Sequence, residues 1–175
     1  MSDEPTSINA DGIYEPFATH RVPWVQHRQG ERFGMDYQHL SSFGGGTQIS
    51  VSMEVLPPGK QANAAHYHML EEEHVLLLEG SLTLRLGAKA YLMTAGDYVC
   101  FPAGQRAGHA LINHTDTPCR YLVLGAPDPN DVAVHTDSGR VSVKLMGTGY
   151  AEKSAMAYWD NEPFDTPVVP PPLDA

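Results

Sequence analysis

Between residues 48 and 124, hydrophobic and polar residues alternate in short runs. The run 48–56 places Ile49, Val51, Met53 and Val55 on one face. A period of two is typical of β-strands, because successive side chains point to opposite faces of a sheet. Further runs occupy residues 65–68, 73–78, 82–86, 90–93, 98–101, 110–113 and 120–124. Glycine and proline turns close most of them, and no amphipathic helix pattern separates them, so an all-β fold is predicted, an antiparallel sandwich or barrel.

Composition divides the chain into three parts. Residues 1–46 are polar and rich in turn residues, and we interpret them as an N-terminal arm with short strands. Residues 47–126 carry the dense alternation and are expected to form the barrel. Residues 127–175 are a C-terminal extension, and the prolines at 170–172 indicate a frayed tail.

The charge of the chain argues against two classes of partner. Lysine and arginine number 11 and aspartate and glutamate number 21, which gives a formal net charge of −10. Nucleic acid and anionic membranes are themselves negative, so neither is an expected partner. No signal peptide and no apolar run of membrane-spanning length are visible. Cys100 and Cys119 do not make a disulfide framework, and we therefore expect a cytoplasmic protein.

His66 and His68 are the first residues that suggest chemistry. Positions i and i+2 of a strand share a face, so two imidazoles can converge on one point. Residues 69–72 resemble a turn, and a hairpin there would bring Glu73 back beside the two histidines. Imidazole and carboxylate ligands suit a first-row divalent metal. A histidine in a strand is more often an ordinary surface or core residue, however, so the pair alone does not establish a site.

The spacing around this pair is more informative. The pattern Gly59-x6-His66-x-His68-x4-Glu73-x6-Gly80 resembles the first motif of the cupin superfamily. It differs in having six residues, where five are usual, between the first glycine and the first histidine.

A second motif follows in the expected order. Gly96-x5-Pro102-x-Gly104, followed by His109-x3-Asn113, resembles the second cupin motif. Here four residues separate Gly104 from the histidine, more than is usual. The order of the two motifs makes chance agreement improbable.

The resemblance implies a double-stranded β-helix, the cupin jelly-roll barrel, with a metal held by three histidines and one glutamate. It implies one divalent transition metal per chain, and imidazole and carboxylate ligands admit Mn, Fe, Co, Ni, Cu and Zn. Carried over position by position, the ligands are His66, His68, Glu73 and His109.

The departure in the second motif leaves one alternative open. The extra residues could place Gln105 or Arg106 near the position that the third imidazole usually takes. Arginine stays protonated and cannot ligate, and glutamine is a weak neutral ligand. We therefore predict that His109 completes the site, and that His74 and His114, which have the wrong strand parity, do not bind the metal.

The resemblance implies a metal-binding protein that acts on, or binds, a small polar metabolite in the barrel. As an enzyme it could be a dioxygenase, decarboxylase, isomerase or lyase, with the metal as Lewis acid or anchor. The alternative is a non-catalytic metabolite-binding or sensor module. Tyr91, Tyr98 and Arg106 could contact a substrate, although each has an ordinary packing or surface explanation. Leu76 and Leu78 are expected on an outer sheet face, which predicts a homodimer.

Overall fold

A computed structural model describes residues 6–157 and residue 160 of the chain. Thirteen β-strands and four short helices lie in this described part. The strands are β1 Val25–Gln29, β2 Phe33–His39, β3 Ser50–Leu56, β4 His66–His68, β5 Glu73–Glu79, β6 Ser81–Leu86, β7 Lys89–Thr94, β8 Tyr98–Phe101, β9 His109–Ile112, β10 Cys119–Gly125, β11 Val132–His135, β12 Arg140–Val143 and β13 Thr148–Ala151. The helices are α1 Leu40–Phe43 and three 3₁₀ turns at Thr19–Arg21, Lys144–Met146 and Glu152–Ser154.

The strands form two antiparallel sheets. One has the order β1-β2-β3-β10-β5-β8, and the other has the order β13-β12-β11-β4-β9-β6-β7. Strands β3 to β10 alternate between the two sheets except for the β6–β7 hairpin, which lies within one sheet, and this is the jelly-roll arrangement. The predicted all-β jelly-roll fold is thus confirmed.

Segments on both sides of residues 47–126 lengthen the sheets. β2 pairs with β3, and β1 pairs with β2, so the N-terminal segment extends the six-stranded sheet. β11 pairs with β4 and is followed by β12 and β13, so residues after 127 extend the seven-stranded sheet. The prolines at 170–172 lie outside the described residues. The pairing of β11 with β4 matters for function, because β4 carries His66 and His68.

The hydrophobic core lies between the two sheets. Its fully buried members include Tyr121 of β10, Leu56 of β3, Val75 and Leu77 of β5, and Leu82 of β6. Leu76 and Leu78 alternate with Val75 and Leu77, so they lie on the outer face of the six-stranded sheet, where both are half-buried.

The apolar face predicted for β3 is not the face that turns inward. Ser52, Glu54 and Leu56 are buried, whereas alternate positions such as Val51 are half-buried and Ile49 is exposed. Two polar side chains are therefore on the buried face of β3, and one of them, Glu54, lines an internal cavity.

Tight turns keep successive strands close. Gly80 joins β5 to β6 with φ of +78°, and a Cβ there would lie 3.1 Å from Cβ of Cys119. Gly96 has φ of +97° in the turn before β8. Only glycine adopts such angles without strain. No helix among the described residues has the length and apolar character needed to cross a membrane.

Candidate metal centre

β4 and β5 bring three of the predicted ligands together. His66 and His68 share one face of β4, and their Nε2 atoms are 3.1 Å apart. Glu73 opens β5, with Oε2 3.9 Å from Nε2 of His68. Each of the three residues offers a ligand atom within 4.8 Å of the others, so they could hold a metal ion.

His109 lies beside this group in spite of the extra residues before it. It opens β9, pairs with His66 in the strand ladder, and its ring centroid is 4.7 Å from that of His66. Its Nε2 atom is 3.5 Å from Oε1 of Glu73. The ring is 4% exposed and stacks on Phe101 at 3.8 Å.

The loop at residues 102–108 explains how the insertion is accommodated. The Gly104 N–H donates to the carbonyl of His68, and the Gly108 carbonyl accepts from the Gly87 N–H, both at 2.8 Å. The loop is therefore anchored at both ends, and Arg106 between them is exposed. Tyr91 and Tyr98 are also exposed, and none of the three lines the cavity at the histidines.

Two observations fit a cation at this point. His66 Nδ1 lies 2.8 Å from the Ala64 carbonyl, and His68 Nδ1 lies 2.6 Å from Asp131 Oδ2. When both Nδ1 atoms donate, the two facing Nε2 atoms present lone pairs to each other at 3.1 Å, an arrangement that a cation between them would stabilise. In addition, neither ring nitrogen of buried His109 has a hydrogen-bond partner among the described residues. An unsatisfied buried polar atom costs about 1–3 kcal/mol, which a metal ligand bond would offset.

The protonation states also suit a metal. Burial and, after it, the nearby imidazole of His109 together lower the pKa of His66 to about 4. Burial by itself would raise the pKa of Glu73, but the surrounding imidazoles, His109 first, outweigh it and hold that pKa below its ordinary value. At neutral pH the site therefore contains a neutral imidazole at His66 and a charged carboxylate at Glu73, the forms that bind a divalent ion.

Asp131 is a functional residue that sequence reasoning missed. It is 2% exposed, and its Oδ1 accepts from the backbone N–H groups of Leu70 and Glu71 while Oδ2 faces His68. Burial would raise its pKa, but the hydrogen bonds, that of His68 first, keep the pKa low. The carboxylate fixes the orientation of the His68 ring. Asp131 lies 63 positions after His68 and shares no motif with it, so no spacing signal could have revealed it.

Glu54 is a second residue of this kind. A cavity of about 80 Å³ is lined by His66, Glu73 and His109, and also by Glu54, whose side chain is 9% exposed. Burial raises the pKa of Glu54 to about 7, the neighbouring Tyr121 lowers it only in part, and the charge of Glu73 raises it. Glu54 lies in the alternating run 48–56, on the face opposite to the apolar residues. This parity would indicate an inward carboxylate only if the inward face of the strand were known.

A larger recess of about 550 Å³ has His68 in its wall. β12 and the turn after it supply Arg140, Ser142 and Lys144 to its wall. Nη2 of Arg140 is 2.9 Å from Nε2 of His135, and the His135 ring stacks on that of His66 with centroids 5.7 Å apart. No motif or spacing along the chain links His135 to the site.

Comparisons with known proteins agree with this geometry. Residues 52–125 match the family model of the cupin domain. A sugar phosphate isomerase of the cupin superfamily from Silicibacter pomeroyi is 27% identical, with a TM-score of 0.73 over 81% of this chain and 95% of its own. A candidate sugar phosphate isomerase from Acidithiobacillus ferrooxidans is 24% identical, with a TM-score of 0.68 over 71% of this chain and 80% of its own.

A third structure, a predicted oxalate decarboxylase from Thermotoga maritima, is 19% identical, with a TM-score of 0.55 over 64% of this chain and 98% of its own. At that identity, and at the 24% of the second, the likeness concerns the fold alone. A search of the curated proteins finds no match. The matched family model and the shared jelly-roll architecture show that residues 52–125 form a cupin domain.

Proposed function

We propose that the protein is a metal-dependent isomerase that acts on a small phosphorylated sugar. The observation that carries the proposal is one small cavity with two imidazoles and two carboxylates in its wall, those of His66, His109, Glu73 and Glu54. The imidazole of His68 lies beside them, with its Nε2 atom 3.1 Å from that of His66. The 27% identity to a sugar phosphate isomerase over most of both chains supports the substrate class.

In this proposal His66, His68, Glu73 and His109 hold one divalent transition metal. Three neutral imidazoles and one carboxylate would leave a net charge of +1 with the ion. When bound, such an ion supplies Lewis acidity, which polarises a carbonyl or hydroxyl oxygen of the substrate.

Glu54 is the proton-transfer residue of the proposed reaction. Interconversion of an aldose and a ketose breaks the C–H bond at C2 and forms one at C1, while a hydroxyl proton moves from O2 to O1, so no external oxidant or reductant is needed. A carboxylate that faces the reacting carbons can accept the first proton and return it. A base is most effective when its pKa lies near the working pH, and burial brings the pKa of Glu54 to about 7 without an ion. A bound ion would lower that pKa, so the carboxylate form that accepts a proton would predominate at neutral pH.

The recess beside His68 is the proposed seat of the phosphate. The guanidinium of Arg140 contacts the His135 ring, which is a neutral partner when it is unprotonated. Ser142 and Thr148 line the same wall and add hydroxyl donors. Arginine binds phosphate through paired N–H donors. Lys144 is at the rim, where its ammonium contacts Glu71 and could exchange that partner for a phosphate oxygen.

The experiment follows hydrogen exchange at carbon. Protein loaded separately with Mn²⁺, Fe²⁺, Co²⁺, Ni²⁺ or Zn²⁺ is incubated with aldose and ketose phosphates in deuterated water, and NMR measures product and deuterium at C1 and C2. Glu54→Gln is expected to lower turnover by about 100-fold or more while metal content is unchanged, and exposed Glu79→Gln serves as the control. Absence of both turnover and exchange with every metal and sugar phosphate would refute the isomerase.

The small size of the inner cavity favours one alternative, a metabolite-binding module without turnover. About 80 Å³ admits only a few atoms, whereas ligand pockets usually measure about 300–1,000 Å³. In the isomerase only the reacting end of the sugar enters this cavity. Binding of a sugar phosphate that depends on Arg140 but produces no exchange would favour the module.

A further inference from the structure

The outer face of the six-stranded sheet carries a second group of metal-ligating side chains. Glu72 precedes β5, His74 lies on β5, and Cys100 lies on β8. We propose that Glu72, His74 and Cys100 form a second metal site, which binds Zn²⁺ or a similar divalent transition ion.

Strand register places these residues on one surface. His74 and Cys100 are directly paired in the β5–β8 ladder, so their side chains project from the same face. Glu73 lies between Glu72 and His74 and points to the opposite, inner face. Glu72, His74 and Cys100 each offer one ligand atom, and the three atoms lie within 4.8 Å of one another.

The His74 ring is already oriented for ligation. Its Nε2 atom is 3.0 Å from Oε1 of Glu72, and its Nδ1 atom is hydrogen-bonded to the hydroxyl of Tyr98. The ring also stacks on Tyr98, with centroids 5.8 Å apart and planes at 26°. A metal-bound histidine commonly fixes its tautomer by donating the other ring N–H to such a partner. Without an ion the Glu72 carboxylate can only accept, so Nε2 carries the proton and Nδ1 accepts from the Tyr98 hydroxyl. Ion binding would move the proton to Nδ1, where it is donated to Tyr98, and would free the Nε2 lone pair for the ion.

The ligand chemistry differs from that of the inner centre. Thiolate, imidazole and carboxylate together suit zinc, which binds sulfur at about 2.3 Å and nitrogen or oxygen at about 2.0–2.2 Å. On binding, the Cys100 S–H bond breaks, the proton leaves to solvent, and the sulfur lone pair forms the bond to the metal. The thiolate and the carboxylate then neutralise the charge of a divalent ion.

In the single chain this surface is also open to ions. The His74 side chain is 27% exposed and that of Glu72 is 49% exposed, whereas the inner centre contains a histidine that is 4% exposed. Ligation by three residues leaves one tetrahedral position for water. The proposed site is independent of the isomerase, because no residue is shared between the two groups.

Cobalt spectroscopy distinguishes the two sites. Titration of the intact protein with Co²⁺ is expected to give two equivalents per chain, and a near-ultraviolet thiolate-to-cobalt charge-transfer band for one of them. The inner centre offers only nitrogen and oxygen ligands, so it cannot produce that band. Cys100→Ser is expected to abolish the band and one equivalent, and Glu72→Gln is expected to weaken that equivalent by about tenfold.

His109→Ala and Cys119→Ala are the matched controls. The first removes a residue of the inner centre, and the second removes a buried thiol that lies outside the cluster, so both are expected to keep the band. Protection of Cys100 from alkylation by saturating Zn²⁺ gives a second measurement on the unaltered protein. Absence of the band, its persistence in Cys100→Ser, or alkylation at the same rate with and without Zn²⁺ would overturn the proposal.

Discussion

The buried carboxyl of Glu54 is expected to make the stability of the metal-free protein fall as the pH rises. Burial raises its pKa from an ordinary value of 4.5 to about 7, which means that the fold favours the protonated form. Below about pH 4.5 the carboxyl is protonated in both the folded and the unfolded chain, and its ionisation does not change the free energy of unfolding. Between about pH 4.5 and 7 the unfolded chain releases the proton first, and the free energy of unfolding decreases.

The magnitude follows from the two pKa values. A difference of about 2.5 pH units, at about 1.36 kcal/mol for each, is about 3 kcal/mol. Glu54→Gln removes the charge but keeps the shape and the polar end of the side chain. The variant is therefore expected to match the natural protein near pH 4 and to be about 3 kcal/mol more stable above pH 7.

Urea unfolding at a series of pH values, with a chelator present, measures this difference directly. Other titrating groups act equally on both proteins, so the quantity of interest is the difference between their free energies of unfolding at each pH. With a divalent ion bound nearby, the positive charge would lower the pKa of Glu54 and reduce the difference. A difference that does not change between pH 4 and 8 would show that Glu54 is not held in a protonated form by the fold.

Four further outcomes test the metal centre and the assembly. Glu73→Gln is expected to preserve the circular dichroism spectrum but to weaken metal binding in calorimetry, and unchanged affinity would remove Glu73 from the ligand set. His109→Ala is expected to lower metal affinity by about tenfold or more, whereas His114→Ala leaves it nearly unchanged; the reverse result would place the second motif in the wrong register. Asp131→Asn is expected to lower metal affinity by about 10–100-fold, because His68 loses the carboxylate that orients it, and an unchanged affinity would contradict that role. Light scattering is expected to report a homodimer joined through the outer sheet face, and a particle of 19.1 kDa at micromolar concentration would exclude it.

The parts of the site that sequence predicted are those set by local geometry. His66 and His68 converge because they are two residues apart on one strand, and Glu73 joins them across a short turn. Alternation likewise predicted most strands, since each run needs only its own residues to define its faces. The prediction of His109 rested on the second motif, which contains a loop of variable length. The order of the two motifs along the chain was enough to identify this histidine.

The remaining residues depend on which strands become neighbours. Asp131 and His135 reach the centre only because β11 pairs with β4, a contact between segments about 65 residues apart. Glu54 was hidden by the assumption that the apolar face of β3 turns inward. His74 and Cys100 meet through the β5–β8 register, which no local pattern specifies. Strand pairing between segments that are far apart in the chain cannot be predicted from the pattern of a single sequence.

The pairing of β11 with β4 makes the C-terminal extension and the metal centre thermodynamically linked. Asp131 contacts His68 only when β11 is docked, so an ion that prefers the oriented imidazole must also favour the docked extension. Linkage is reciprocal, so undocking of the extension would lower the affinity for the ion by the same factor. The unit that would bind the proposed metal is therefore longer than the matched segment 52–125, and the backbone amides of β11 would exchange with solvent more slowly once the ion is bound.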